Sequence, residues 1–207
     1  MMTLRWLALV FLIGCAGSHK PVTTPEQPPA PQVGAACDVH QAEILKEADT
    51  RAQPFSTAQH LAKNFSDGKI SWLMKDSAYQ SYVVKPSAKD WGRCNDTGCY
   101  VFTAPAAKIH DAVAQSMVNG HHDPAVIGKA LGLPAANFEG TLRMMTFDMT
   151  KDPVCARLPV DSDPGVWACK TPEDTDCFKF GGYTSGGVPE LMVINAAVGQ
   201  TTIEEVP

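Results

Sequence analysis

The sequence predicts an α+β fold, with helices mostly in the first half, an antiparallel or mixed sheet mostly in the second half, and disulfide stabilisation. Three observations carry that expectation. Helix-start signals and amphipathic patterns concentrate between residues 38 and 131, whereas alternating apolar stretches concentrate after residue 142. Helices first and strands later, rather than a βαβ alternation, point to α+β packing. Finally, the chain opens on a short apolar leader and carries six cysteines beyond Cys15, an even set in a chain directed out of the cytoplasm.

Each helix is read from its cap and its apolar spacing. Asp38 is the candidate N-cap of "CDVHQAEILKEAD", with Val39, Ala42, Ile44 and Leu45 proposed as one apolar face. "STAQHLAKNF" is a shorter helix capped by Ser56 or Thr57 and stopped near Gly68. A third helix follows Pro105, with Ile109, Val113 and Met117 along one side. In "DPAVIGKALGL", Asp123 caps a fourth and Pro124 takes the first helical position, where a missing N–H costs nothing. Strands are expected at "CYVFTA", "LRMMTFDM", "VCARLPV", "LMVIN" and "TTIEEV".

The N-terminus divides the chain. Arg5 precedes a wholly apolar run from Trp6 to Ile13. That run is too short to span a bilayer, which takes about 20 residues, but it suits the apolar part of an export signal. Leu12-Ile13-Gly14-Cys15 resembles the lipobox of bacterial lipoproteins. The resemblance implies cleavage before Cys15, a diacylglyceryl group on its thiol, and Cys15 as first mature residue. Ala16 in place of an aspartate leans toward the outer membrane, on its periplasmic or surface face. Residues 1–14 are then the signal peptide, 15–36 the lipidated cysteine and tether, and 37–207 a single globular domain. Between Ala16 and Ala36 five prolines and few apolar residues favour an extended leash of roughly 60 Å.

Loss of the 14 leader residues leaves 193, with 16 basic against 22 acidic side chains and a formal charge of −6. An acidic domain without a Lys/Arg stripe is ill suited to phosphate backbones, so nucleic acid is excluded as a partner. The partners expected are the membrane, through lipid on Cys15, and an envelope protein or small ligand.

The cysteines of the domain are Cys37, Cys94, Cys99, Cys155, Cys169 and Cys177. Cys94 and Cys99 flank Asn95, Asp96 and Gly98, turn formers that bring the two sulfurs together. Cys155, Cys169 and Cys177 lie close enough in sequence to favour a bridge among them, with Cys37 tying the N-terminal end of the domain to its later part. No second CxxC or suitably spaced histidine pair accompanies them, so neither a metal nor a cofactor is expected.

Chemistry-bearing motifs are sparse. "NGHHD" holds His121 and His122 in what reads as a solvated loop between two helices. GxSxG, GxxxxGK[ST], GxGxxG before a helix, and HExxH are all missing. Asp148, Asp152 and Glu190 could form a carboxylate pair only if the sheet brought them together. The remaining feature is "FGGYTSGGVPELMVIN": its glycines suit either a backbone cradle for an anion or a tight entry into a strand, with Pro189 at the strand's start or edge.

The span from "DPAVIGKALGLPAANFEGTLR" through "GGYTSGGVPE" resembles C-terminal domains of secreted bacterial polymorphic toxins. Some of these consume NAD through an ADP-ribosyltransferase fold, and Tyr183, Thr184, Ser185 and Glu190 are the candidate catalytic residues that the resemblance implies. "CYVFTA" lacks the strand arginine of that fold, and Ser185 lies only five residues from Glu190. The leading expectation is therefore a lipid-anchored binding or interaction domain, leaning away from an enzyme. The alternative is a toxin-like enzyme acting on a nucleotide such as NAD.

Overall fold

The computed structural model describes residues 36–51, 55–166, 181–184 and 186–207. Residues 1–35, with Cys15 among them, lie outside the described residues, as do Cys169, Cys177 and Ser185.

The fold is α+β and disulfide-stabilised. Two helices lead, α1 (Val39–Arg51) and α2 (Thr57–Asn64). Strand β1 (Lys69–Lys75) follows, then a single turn α3 (Asp76–Tyr79) that runs into a π-helical turn, Gln80–Val84. Next come β2 (Arg93–Asn95), β3 (Gly98–Pro105), α4 (Ala106–Ser116), the short strands β4 (Met117–Val118) and β5 (His121–His122), and α5 (Pro124–Leu131). The remaining strands are β6 (Leu142–Asp148), β7 (Cys155–Arg157), β8 (Leu191–Ile194) and β9 (Thr202–Val206). Seven of them form one antiparallel sheet in the order β7-β8-β3-β1-β6-β9, with β2 paired to β3.

Helix starts follow their caps. Asp38 Oδ1 accepts from the Gln41 amide at 2.7 Å. Ser56 and Gln59 close a reciprocal capping box at α2. Asp123 accepts from the Ala125 amide, and Gly132 ends α5 in the left-handed conformation, φ 66°.

Both faces of the sheet are covered. On one, Ile70, Trp72, Val101, Met145, Phe147, Leu191 and Val193 pack with Leu61 of α2, with Phe65 at its C-terminal end and with Trp91. On the other, Leu73, Ala104, Leu142 and Met144 pack under Ile109 of α4 and Ile127 and Leu131 of α5. The central strand β1 escaped the sequence reading for this reason. A strand buried on two sides reads as a near-continuous apolar run, "ISWLM", in place of a clean alternation.

Three expectations need correction. Val39 is 80% exposed, while the buried residues of α1 are Gln41 and Ala48, because this helix docks through a polar contact. Met117 leaves the apolar side of α4, since the helix ends at Ser116 and the chain turns extended. "NGHHD" is a hairpin rather than a loop: Asn119 and Gly120 take φ of 51° and 83°, as a tight two-residue turn demands, and β4 pairs with β5. His122 is only half-buried, yet both its ring nitrogens are engaged, 2.8 Å from Pro207 O and 2.7 Å from Phe138 O.

Two of the expected cysteine contacts form. Cys94 and Cys99 are bridged across the β2–β3 hairpin, and Cys37 is bridged to Cys155, which fastens the start of α1 to β7. Cys155 is thus engaged with Cys37 and takes no part in a bridge to Cys169 or Cys177.

Candidate functional site

The glycine loop folds on itself. Glu190 N donates to Gly182 O at 2.8 Å, and Tyr183 and Pro189 face each other as an isolated antiparallel bridge. Within that frame Thr184 N donates to Val188 O, Gly187 N donates to Thr184 O, and Val188 N donates to Thr184 Oγ1. These amides are occupied internally, so they do not form an anion cradle. The glycines are needed for close approach. A Cβ on Gly132 would lie 2.2 Å from Gly186 N, and one on Gly182 would lie 2.4 Å from a Leu158 methyl.

Pro189 and Glu190 lead into β8. Thr103 is registered with Leu191, so one step further sets Glu190 opposite Ala104. By the alternation of the strand, its side chain shares the face of Val188 and Ala104, which pack with α4 and α5.

A cavity of about 190 Å³ lies there. Its origin is in the sheet: β1 and β3 pair only at Ile70↔Pro105 and Ser71↔Ala104, after which β1 continues along β6 while the other end of β3 pairs with β2. The gap left between the diverging strands is lined by Leu73 and Phe102, roofed by Ile109, Leu131 and Phe138, and closed on one side by Thr184 and Glu190. Leu73, Phe102, Thr184 and Glu190 are each half-buried, so the cavity communicates with solvent. Among the described residues, Glu190 is the one ionisable residue of its lining. Burial raises its carboxyl pKa from 4.5 to about 7.

The opposite side of the loop rests on α2. His60 is fully buried, with Nε2 3.0 Å from Glu190 O and Nδ1 3.2 Å from Asn64 Nδ2. Asn64 Nδ2 also donates to the Tyr183 hydroxyl at 3.2 Å, and the Tyr183 and His60 rings meet edge to face. A neutral ring with its proton on Nε2 satisfies both contacts, and burial lowers the His60 pKa in the same direction. His60 and Asn64 are thus a buttress, spaced one helical turn apart. The sequence reading missed them because only the fold brings α2 beneath the loop.

Of the candidate catalytic residues, Thr184 and Glu190 both line the cavity, Tyr183 faces α2, and Ser185 lies outside the described residues. Asp148 and Asp152 are committed elsewhere, accepting from Thr150 and from Gln200 respectively. Among the described residues no group of three or more His, Cys, Asp and Glu side chains could hold a metal ion, and no helix is long and apolar enough to cross a membrane.

The raised carboxyl has a thermodynamic consequence. Its folded-state pKa of about 7 exceeds the ordinary 4.5, so the stability it supports is complete below pH 4.5 and is lost as pH rises through 7. Glu190→Gln should therefore stabilise the protein at pH 8 by up to about 3 kcal/mol and leave it unchanged near pH 4. Urea midpoints at the two pH values measure this. An equal shift at both would show that burial does not hold the proton.

Comparison with known proteins gives no match to a family model, to a curated protein or to a solved structure.

Proposed function

We propose that this protein is a lipid-anchored envelope lipoprotein whose extracytoplasmic domain binds a ligand or partner, with outer-membrane placement. The observation that carries the reading is the pairing of an apolar leader ending in Leu12-Ile13-Gly14-Cys15 with a domain closed by two disulfides. Disulfides persist outside the cytoplasm, which is where such a leader delivers a chain. Binding is favoured over catalysis by how the hydroxyls along the cavity are used. Ser71 Oγ donates to Met145 O and Thr103 Oγ1 donates to Leu191 O, so neither is poised as a nucleophile for Glu190 to activate, and the third hydroxyl of the described lining, Thr184 Oγ1, accepts from Val188 N within its own turn. The cavity, at about 190 Å³, also falls below the roughly 300–1,000 Å³ of sites for drug-sized ligands, which weighs against a dinucleotide such as NAD.

The anchor is tested by fractionation. Wild-type protein is expected in the membrane pellet, and Cys15→Ala in the soluble fraction. A Cys15→Ala chain that still pellets with membranes would overturn the lipid anchor.

A further inference from the structure

We infer that the cavity between β1 and β3 is a site for a small organic cation, a compact apolar body carrying one primary ammonium group that the Glu190 carboxylate receives. This deepens the binding reading above and rests on it.

Size comes first. An apolar cavity of about 150 Å³ accepts benzene, so about 190 Å³ accepts one ring, or an alkyl body of similar bulk, with a short arm. The lining sets the character of that body: Leu73, Phe102, Ile109, Leu131 and Phe138 offer only carbon. Charge decides the arm. Glu190 has both backbone polar atoms engaged, its N–H with Gly182 and its carbonyl with His60. No described residue donates a hydrogen bond to its carboxylate, and no cation lies near enough to shift it. A half-buried carboxylate with acceptor oxygens and no protein donor has only water to satisfy it until a partner arrives. An ammonium supplies the missing donors and the missing charge together, and charge-assisted hydrogen bonds are the stronger kind. Thr184 Oγ1, which already accepts from Val188 N, keeps a second lone pair beside the same end of the cavity. The net charge of the chain also favours a cation over an anion.

The test is calorimetric titration of the purified full chain in detergent at pH 8 with benzylamine, and with benzyl alcohol as its neutral counterpart, each against a detergent blank. Benzylamine is expected to bind at least ten-fold more tightly than benzyl alcohol. Glu190→Gln, expected to fold at least as well as wild type at this pH, should weaken benzylamine at least ten-fold and leave benzyl alcohol unchanged. Ala104→Leu, which fills the space opposite Glu190, should abolish both. Wild-type protein that takes up no benzylamine overturns the inference, as does equal affinity for amine and alcohol or a Glu190→Gln variant that binds as wild type does. The two readings fail separately. A chain that needs Cys15 for membrane attachment yet ignores both probes sinks the cation site alone, whereas one that binds benzylamine but pellets without Cys15 sinks the anchor alone.

Discussion

Replacing both Cys37 and Cys155 by serine is expected to remove about 5 kcal/mol of stability. The bridge joins residues 118 positions apart, and closing a loop of that length removes entropy from the unfolded chain worth about 5 kcal/mol at 25 °C. The Cys94–Cys99 bridge closes only five positions and is worth about 2 kcal/mol on the same relation. Since a domain of this size holds only about 5–15 kcal/mol in total, the long bridge decides whether the fold survives warming. Its loss also acts locally, because among the described residues α1 is held to the sheet and its flank by few other contacts. Ala48 packs on Leu158 and Val160, Gln41 reaches Arg157 and Tyr100, and an exposed Arg51–Asp161 ion pair adds little. Denaturant unfolding of the two double-serine variants measures the contrast. If removing the hairpin bridge costs as much as removing the long one, the loop-entropy account is wrong.

What the sequence reveals about this fold depends on whether the controlling interaction is local. Caps are local, so Asp38, Ser56 and Asp123 could be read directly, as could the Cys94–Cys99 hairpin bridge with its intervening turn formers. Strands with a distinct alternation, such as β6, were legible too. The central strand β1 was not, because burial on both faces erases its period. The face of α1 was misjudged because Gln41 is buried for a hydrogen-bond partner 116 residues away, and no helical periodicity encodes that. The glycine loop stood out as the place to look, with its glycines open to either an anion cradle or a tight entry into a strand, and its internal hydrogen bonds fit the second. Gly186 packs closely against Gly132 and Gly182 against Leu158, and the cavity beside the loop lies where β1 and β3 part company. Neither that divergence nor the His60–Asn64 buttress leaves a mark in a contiguous stretch of residues.

Asp163→Ala should cost about 3–5 kcal/mol, nearly as much as losing the long disulfide, through a different physical term. Arg157 lies on β7 and is wholly buried, and Asp163 is almost so. The guanidinium is held on all sides: Nη1 and Nη2 donate to the two Asp163 oxygens at 2.8 and 2.5 Å, Nε donates to Gln41 Oε1, and Nη1 also donates to Leu158 O. Asp163 in turn accepts from the Val160 amide. Gln41 passes the network on to the Tyr100 hydroxyl, which also meets Thr97. One buried cation thereby connects α1, β3 and the segment after β7. Removing the carboxylate leaves that cation desolvated with no charge partner, and an orphaned buried charge is the costly case, at about 3–5 kcal/mol. The pair itself need not be stabilising relative to a well-packed apolar pair, because its own desolvation offsets much of the attraction. The double replacement Arg157→Met with Asp163→Leu should therefore recover most of what Asp163→Ala alone loses. Urea unfolding of the single and double variants distinguishes the two contributions. A double variant as unstable as the single one would mean that the geometry of the network, through Gln41 and Val160, matters more than the stranded charge.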